Sequence, residues 1–239
     1  VKAVITDSES SKEDIQKYLG VAANKIKVVY LAASPHLKAA DEKEIRRVKR
    51  SYKLPKNYIL YVGDINYNKN IPQLIKTARY LPQNVKLVCL GKSFIEQDIP
   101  EWHWIKTQLA LSDVENKVKF IADVPGGAEA DMAAIYSGAI CYVQPSFYEG
   151  FGLPVLEAMQ CKTPVVSTQN SSLVEVASDQ AIYVKEDAES IVQGVNQVLG
   201  WSKTKRQQKI RAAFAWSQKF NWQKTAQETI DIYKKVLND

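Results

Sequence analysis

A doubly wound, parallel α/β fold is predicted for this 239-residue chain from three observations. Short runs rich in β-branched residues are apolar without alternation, as expected of strands covered on both faces. Helical stretches separate these runs with short connections, the pattern of a parallel sheet wound with helices. Four polar or glycine-containing loops, Gly63 to Asn70, Gly91 to Phe94, Asp123 to Gly127 and Ser146 to Gly152, each follow such a run. In sheets of this kind ligands sit beyond the carboxyl ends of the strands.

Taken in order, Val4-Ile5-Thr6 reads as a strand, and Ser10-Ser11-Lys12-Glu13 after it as a capping box opening a helix that Gly20 closes. Val28-Val29-Tyr30 reads as a short strand, and Pro35 to Leu54 as a polar, helical linker. Further strands are expected at Tyr58 to Val62, Val85 to Leu90, Val118 to Ala122, Ala139 to Val143, Thr163 to Val166 and Ala181 to Val184. Helices are expected at Ile71 to Tyr80, Glu129 to Ser137, Pro154 to Gln160 and Ser171 to Ala177. After Gly200 the chain turns helical with a break near Asn221. Ala226, Ile230, Tyr233 and Leu237 then form an apolar stripe at steps of 4, 3 and 4. Such a helix either packs on another domain or covers this domain's own sheet.

Composition narrows the functional classes. Hydrophobic residues make up 46% and charged residues 24%, which is ordinary for a globular protein. No apolar run approaches the ~20 residues of a membrane span. The net charge is +6. Its Lys and Arg residues are dispersed, and the densest runs, Lys43 to Lys56 and Lys203 to Arg211, read as solvated helix faces, so no nucleic-acid partner is expected. A weak peripheral contact with anionic headgroups is the milder consequence of the basic balance. Cys89, Cys141 and Cys161 lack metal-like spacing and read as buried free thiols of a reducing, cytoplasmic compartment. His36 and His103 have no Cys or His at ligand spacing, so no metal site is expected.

The richest stretch runs from Ser146 to Met159. It sets Glu149 and Glu157 eight residues apart around Gly150-Phe151-Gly152, with Leu153-Pro154 opening a helix. Pro is tolerated at a first helical position because its missing N–H costs nothing there. A turn without side chains lets a ligand approach the backbone, and the helix N-terminus beyond it offers unpaired N–H groups and partial positive charge. Read separately, Glu157 is an acid stabilised near a helix N-terminus and Glu149 a loop residue capping an amide. Read together, they flank an anion cradle, which suits a ligand carrying both phosphates and hydroxyls, such as a sugar nucleotide.

Pro145 to Met159, followed by Thr163-Pro164-Val165-Val166, closely resembles the signature of family 4 of the retaining glycosyltransferases, enzymes of two Rossmann-like domains in the GT-B arrangement. The resemblance extends through Tyr61-Val62-Gly63 with Lys69-Asn70, through Asp131 to Ala139, and through Ser171 to Val176. Lys69-Asn70 and Gly63-Asp64 resemble bacterial mannosyltransferases of surface polysaccharide. The resemblance implies that Glu149 contacts the donor sugar near the reacting carbon and that Glu157 bonds the ribose hydroxyls. Backbone amides of Gly150, Phe151, Gly152 and Leu153 would hold sugar hydroxyls and diphosphate, and Lys69 would neutralise the departing diphosphate. Glu149 and Lys69 are thus the candidate catalytic residues. The implied donor is a GDP- or UDP-hexose, with no cofactor or metal, and the implied acceptor a glycan or lipid-linked sugar. The backbone near Gly91 to Phe94 and Ala122 to Val124, Val124 included, would decide the base.

Three positions depart from the family pattern. Asp64, just after Gly63, stands where many members carry Arg, so that diphosphate contact is missing or comes from another residue such as Lys92. Cys161 and Ser178 stand where Gly is usual. The chain opens on Val1 rather than Met and is expected to be a fragment. Residues 1–31 would be the tail of an N-terminal acceptor domain, 32–220 the donor domain, and 221–239 a terminal helix. Such a piece is expected to bind donor but to transfer sugar poorly or not at all. Competing motifs fail. Gly91-Lys92-Ser93 lacks the upstream glycine of a phosphate-binding loop, since Lys86 stands there, and neither Gly-x-Gly-x-x-Gly nor Asp-x-Asp occurs. The alternative to an enzyme fragment is a non-catalytic sugar-nucleotide-binding module of the same fold.

Overall fold

The computed structural model describes residues 1–124 and 129–238. The chain runs β1 (Val4–Thr6), α1 (Glu9–Leu19), β2 (Ile26–Val28), α2 (Glu42–Ser51), β3 (Asn57–Val62), α3 (Ile71–Thr77), β4 (Val85–Leu90), α4 (Pro100–Ser112) and β5 (Val118–Ile121). It continues α5 (Glu129–Ser137), β6 (Tyr142–Gln144), α6 (Leu153–Gln160), β7 (Val165–Thr168), α7 (Leu173–Ala177), β8 (Ile182–Val184), α8 (Ala188–Leu199), α9 (Lys203–Ser217) and α10 (Trp222–Asn238). Six strands form one sheet in the order β5-β4-β3-β6-β7-β8, every neighbouring pair parallel. The winding reverses between β3 and β6, which opens the crevice where ligands bind in such sheets.

Alternate residues of each strand point to opposite faces, and in the inner strands β3, β6 and β7 both faces are dry. Tyr58, Leu60, Val88, Leu90, Tyr142 and Val165 enter one core with residues of α5, α6 and α7. Ile59, Tyr61, Leu87, Cys89, Val143 and Val166 enter the other with α3, α4 and α8. This is why the strands read as continuous apolar runs. The three cysteines are free and buried, as expected, and burial pushes the Cys141 and Cys161 thiols up to about 12.

The parallel α/β prediction holds, with local corrections. β2 lies two residues earlier than expected, and β6 and β7 begin later, at Tyr142 and Val165. Helices α4 and α8 were not expected. Apolar residues of α4 are spread around the helix and give no periodic signal. Those of α8, Ile191, Val195 and Val198, were legible, and Asp187 caps it by accepting from Ser190 N at 2.8 Å. α1 opens at Ser8 rather than at a box from Ser10: Ser8 Oγ accepts the Ser11 N–H at 3.0 Å. The next free amides, of Glu9 and Ser10, go to the distant Glu175 carboxylate at 2.8 Å each, a cap no local pattern shows. Gly20 closes α1 in the left-handed region at φ 65°, as read. In the basic run of α9, Arg206 is not a solvated charge. Its guanidinium donates to Ile140 O at 2.9 Å, and burial lowers its pKa.

β1 and β2 make a separate two-stranded parallel sheet. α10 is tied to this unit by Thr225 Oγ1 donating to Tyr30 O at 2.6 Å and by Lys2 Nζ donating to Val236 O at 3.3 Å. The stripe residues Ala226, Ile230, Tyr233 and Leu237 remain exposed.

Candidate functional site at the sheet's switch point

The loop after β3 is shaped by close backbone packing. A Cβ at Gly91 would stand 2.0 Å from Gly63 O, so only glycine lets the loops after β4 and β3 touch. Asp64 fastens the same junction: Oδ1 accepts from Ile65 N at 2.8 Å and from Ser93 Oγ. The acid that replaces the expected arginine therefore joins two loops. Lys92 beside it is exposed, and Val124 is buried in the core. The predicted loop continues through Pro125, Gly126 and Gly127, which lie outside the described residues.

The β3 loop then crosses to the β6 loop. A tight turn, Tyr67–Lys69, leads to Asn70 in the left-handed region at φ 55°. Asn70 Nδ2 donates to Pro145 O at 3.0 Å and Glu186 O at 2.8 Å. Phe147 N donates to Asn68 O at 2.8 Å, and Asn68 Nδ2 to Tyr148 O at 3.0 Å. These bonds hold Lys69 over Glu149, where Nζ lies 2.8 Å from both carboxylate oxygens.

Glu149 is buried and held from below. Gln144 Nε2 and Ser146 Oγ each donate to Oε1 at 2.7 Å. Gln144 in turn accepts from Tyr142 OH. The backbone is pinned by residues beyond β7. Glu149 N donates to Ser171 Oγ at 2.9 Å, and Ser172 Oγ lies 2.8 Å from Glu149 O and 2.9 Å from Phe151 O. Burial pushes the Tyr142 phenol well above its ordinary value, with Tyr61, Glu149 and Glu157 adding to the rise.

Gly150 is exposed, and its carbonyl accepts from Ser8 Oγ at 2.7 Å. Gly152 stands at φ 101° just before α6, whose first amides have no side-chain cap among the described residues. Leu153 is half-buried. The Phe151 ring packs 6.1 Å from both Tyr30 and Phe220 in the core, so only its backbone faces the loop. Glu157, half-buried on α6, accepts from Tyr136 OH at 2.7 Å. Burial raises its pKa above the ordinary carboxylate value, and the Tyr136 hydrogen bond only partly offsets this.

Of the sequence-predicted site residues, Lys69 and Glu149 are in direct contact, with Gly63, Asp64 and Gly150 to Gly152 on the loops framing them and Leu153 opening α6. Glu157 is held by α5 instead. Gln144, Ser146, Tyr136, Ser171, Ser172 and Glu175 were not singled out. A glutamine closing the apolar run Cys141-Tyr142-Val143 was the available signal for one of them. Ser146 lies in the glycine-containing loop itself, and Tyr136, Ser171, Ser172 and Glu175 lie in other matched segments, without a local sign of what they bond. Among the described residues no group of three His, Cys, Asp or Glu side chains gathers at metal-binding distance.

Comparison with known proteins identifies the family. Residues 41–215 match the family described as glycosyl transferases group 1. O-antigen chain mannosyltransferase B of Escherichia coli is 30% identical over 242 residues, covering 98% of this chain and 60% of that protein, so the chain spans less than two thirds of this relative's length. Sucrose-phosphate synthase from Thermosynechococcus elongatus superposes with a TM-score of 0.82 at 21% identity, over 99% of this chain and 58% of that one. HepE of Anabaena, solved in complex with UDP-glucose, superposes with a TM-score of 0.84 at 20% identity, over 98% of this chain and 64% of that one. At these identities the structural matches speak to the fold alone. With its matched span running through both loops of the switch-point crevice, the chain belongs to the group 1 glycosyl transferases.

Proposed function

We propose that this chain is the donor-binding half of a retaining glycosyltransferase, moving a hexose from a nucleoside diphosphate sugar to a glycan or lipid-linked acceptor. The observation that carries this reading is the Lys69–Glu149 contact beside the uncapped start of α6. In the free chain the ammonium is spent on the carboxylate. A diphosphate arriving at the α6 amides competes for it. Gln144 and Ser146 still fill Oε1 when Lys69 leaves, so Glu149 stays in place with Oε2 turned free for the sugar. The C1–O bond to diphosphate then breaks, the acceptor oxygen bonds to C1, and its proton passes to the diphosphate. Lys69 and the helix N-terminus stabilise the charge that develops on the leaving group, with no metal ion assigned a part.

The relatives support the substrate class. The Escherichia coli protein is named an O-antigen chain mannosyltransferase, and HepE was solved with UDP-glucose. A GDP- or UDP-hexose is the proposed donor, with Glu157 on the ribose and the backbone near Lys92 and Val124 beside the base. The two-stranded sheet of β1 and β2 is too small to stand alone, and it fits the closing strands of a preceding acceptor domain.

Thermal shifts with UDP, GDP, ADP and their hexose conjugates test the proposal. A ligand at 100 times its dissociation constant adds about 2.7 kcal/mol of stability. Glu157→Ala is expected to weaken every nucleotide, and Glu149→Ala to weaken mainly the added affinity of the sugar conjugate. A folded chain that no nucleotide stabilises, with or without EDTA, would refute the assignment.

A further inference from the structure

Three aromatic side chains gather at the mouth of the crevice without entering either core. Tyr67 is 71% exposed, Trp104 44% and Phe147 38%. The Tyr67 ring centroid lies 5.6 Å from that of Phe147, at 32°, and 6.3 Å from that of Trp104, at 76°. They come from three separate segments: the turn before α3, helix α4 and the loop after β6. Beneath them lies a cavity of about 230 Å³ to which Asn66, Gln73 and Glu101 also contribute. The patch is joined to the Lys69–Glu149 pair. Tyr67 precedes Lys69 by two residues, Phe147 precedes Glu149 by two, and the Phe147 amide donates to Asn68 O at 2.8 Å.

We propose that this platform binds a sugar ring of the acceptor glycan, so that part of the acceptor rests on this chain; the inference builds on the transferase reading above. The negative face of an aromatic ring attracts the weakly positive C–H face of a pyranose. The Asn66 amide, the Gln73 Nε2 group and the Glu101 carboxylate supply donors and acceptors for its hydroxyls, the Gln73 Oε1 being taken by Ala188 N. Charge argues against a membrane as the occupant. An anionic surface recruits clustered basic residues around exposed aromatics. Here the charged residue lining the cavity is Glu101, and the nearby basic groups of the same segments are paired: Lys69 with Glu149, Lys106 with Glu96, and the His103 ring with Asp98 at 2.9 Å. Continuity with the transfer point favours the substrate that must approach it.

The test uses the 239-residue chain, manno- and gluco-oligosaccharides of three to five residues, and ligand-observed saturation-transfer NMR, with nucleotide thermal shifts run on the same samples. The oligosaccharide is expected to bind the unmodified chain. Trp104→Ala and Tyr67→Ala should each weaken it, by up to about tenfold, and the double variant should abolish it, while nucleotide stabilisation stays unchanged. Nucleotide binding without oligosaccharide binding overturns this inference and leaves the donor reading standing. Oligosaccharide binding that survives the double substitution overturns it as well, as does binding to anionic lipid vesicles that the same substitutions remove. Failure of the nucleotide to bind sinks both readings.

Discussion

Replacing Lys69 by Met removes the ammonium from both oxygens of Glu149 and leaves that carboxylate almost without water. The side chains are 18% and 10% exposed, so the pair lies close to the buried limit. Removing one partner of a fully buried pair costs about 3–5 kcal/mol, whereas an exposed pair is worth about 0–1 kcal/mol. Gln144 and Ser146 still donate to Oε1 in the variant, which reduces the penalty. A loss of roughly 2–3 kcal/mol is expected, below the fully buried limit because the pair keeps some exposure and Oε1 stays hydrogen-bonded. For a chain of this length that corresponds to a fall in Tm of roughly 5–10 °C. Urea unfolding of Lys69→Met, Glu149→Gln and the double variant gives a thermodynamic cycle. The double variant should cost less than the sum of the singles, with a coupling energy of about 2 kcal/mol. Single costs that add to within about 0.5 kcal/mol would show that the two side chains do not meet in solution, and the picture of an ammonium held in reserve would fall.

Glu157→Gln tests a different acid. Burial holds the Glu157 carboxyl above its ordinary 4.5, so the folded chain keeps that proton longer than the unfolded one. Stability from this group is therefore lost as pH rises from 4.5 to the raised value, and stays lost above it. The variant should out-melt the parent near neutral pH, lose that advantage as the pH falls to about 4, and bind nucleotide more weakly; parallel melting curves at every pH would contradict this. Gly152→Ala forces a side chain into φ 101° with its Cβ 2.9 Å from Leu173 Cδ2. It should lower the urea midpoint by an amount equal to about 1–3 kcal/mol and blunt nucleotide binding. Ser8→Ala removes the α1 cap and the bond to Gly150 O, and costs about 1–2 kcal/mol locally. Hydrogen exchange should quicken at Ser11 and its neighbours while the amides of β3 and β4 stay protected; equal acceleration in both would deny that the unit opens separately.

The legible part of the site was its backbone chemistry. Gly150 and Gly152 between two acids, Pro154 at a helix start and Lys69 after a strand are local statements, and local conformational preference writes them into short stretches. Asp64 was readable only as a departure from a pattern, because its partner Ser93 lies 29 residues away. Gln144 was not singled out, and what it serves became visible only once its amide was seen on Glu149. Helix α4 escaped because its apolar residues carry no period, and its burial against Phe120 and α3 decides its conformation.

Composition and periodicity alone determined a parallel sheet covered on both sides, since a strand dry on both faces must be apolar at every position. They also determined which loops end strands, because turn residues interrupt those runs. Strand order was decided only in three dimensions. So were the fastening of Lys69 to Glu149 through Asn68 and Asn70, the use of Glu175 as a remote cap, and the meeting of Tyr67, Trp104 and Phe147. Each of these joins residues far apart in the chain, and the energy of such a contact exists only after the sheet has brought its strand ends to one edge.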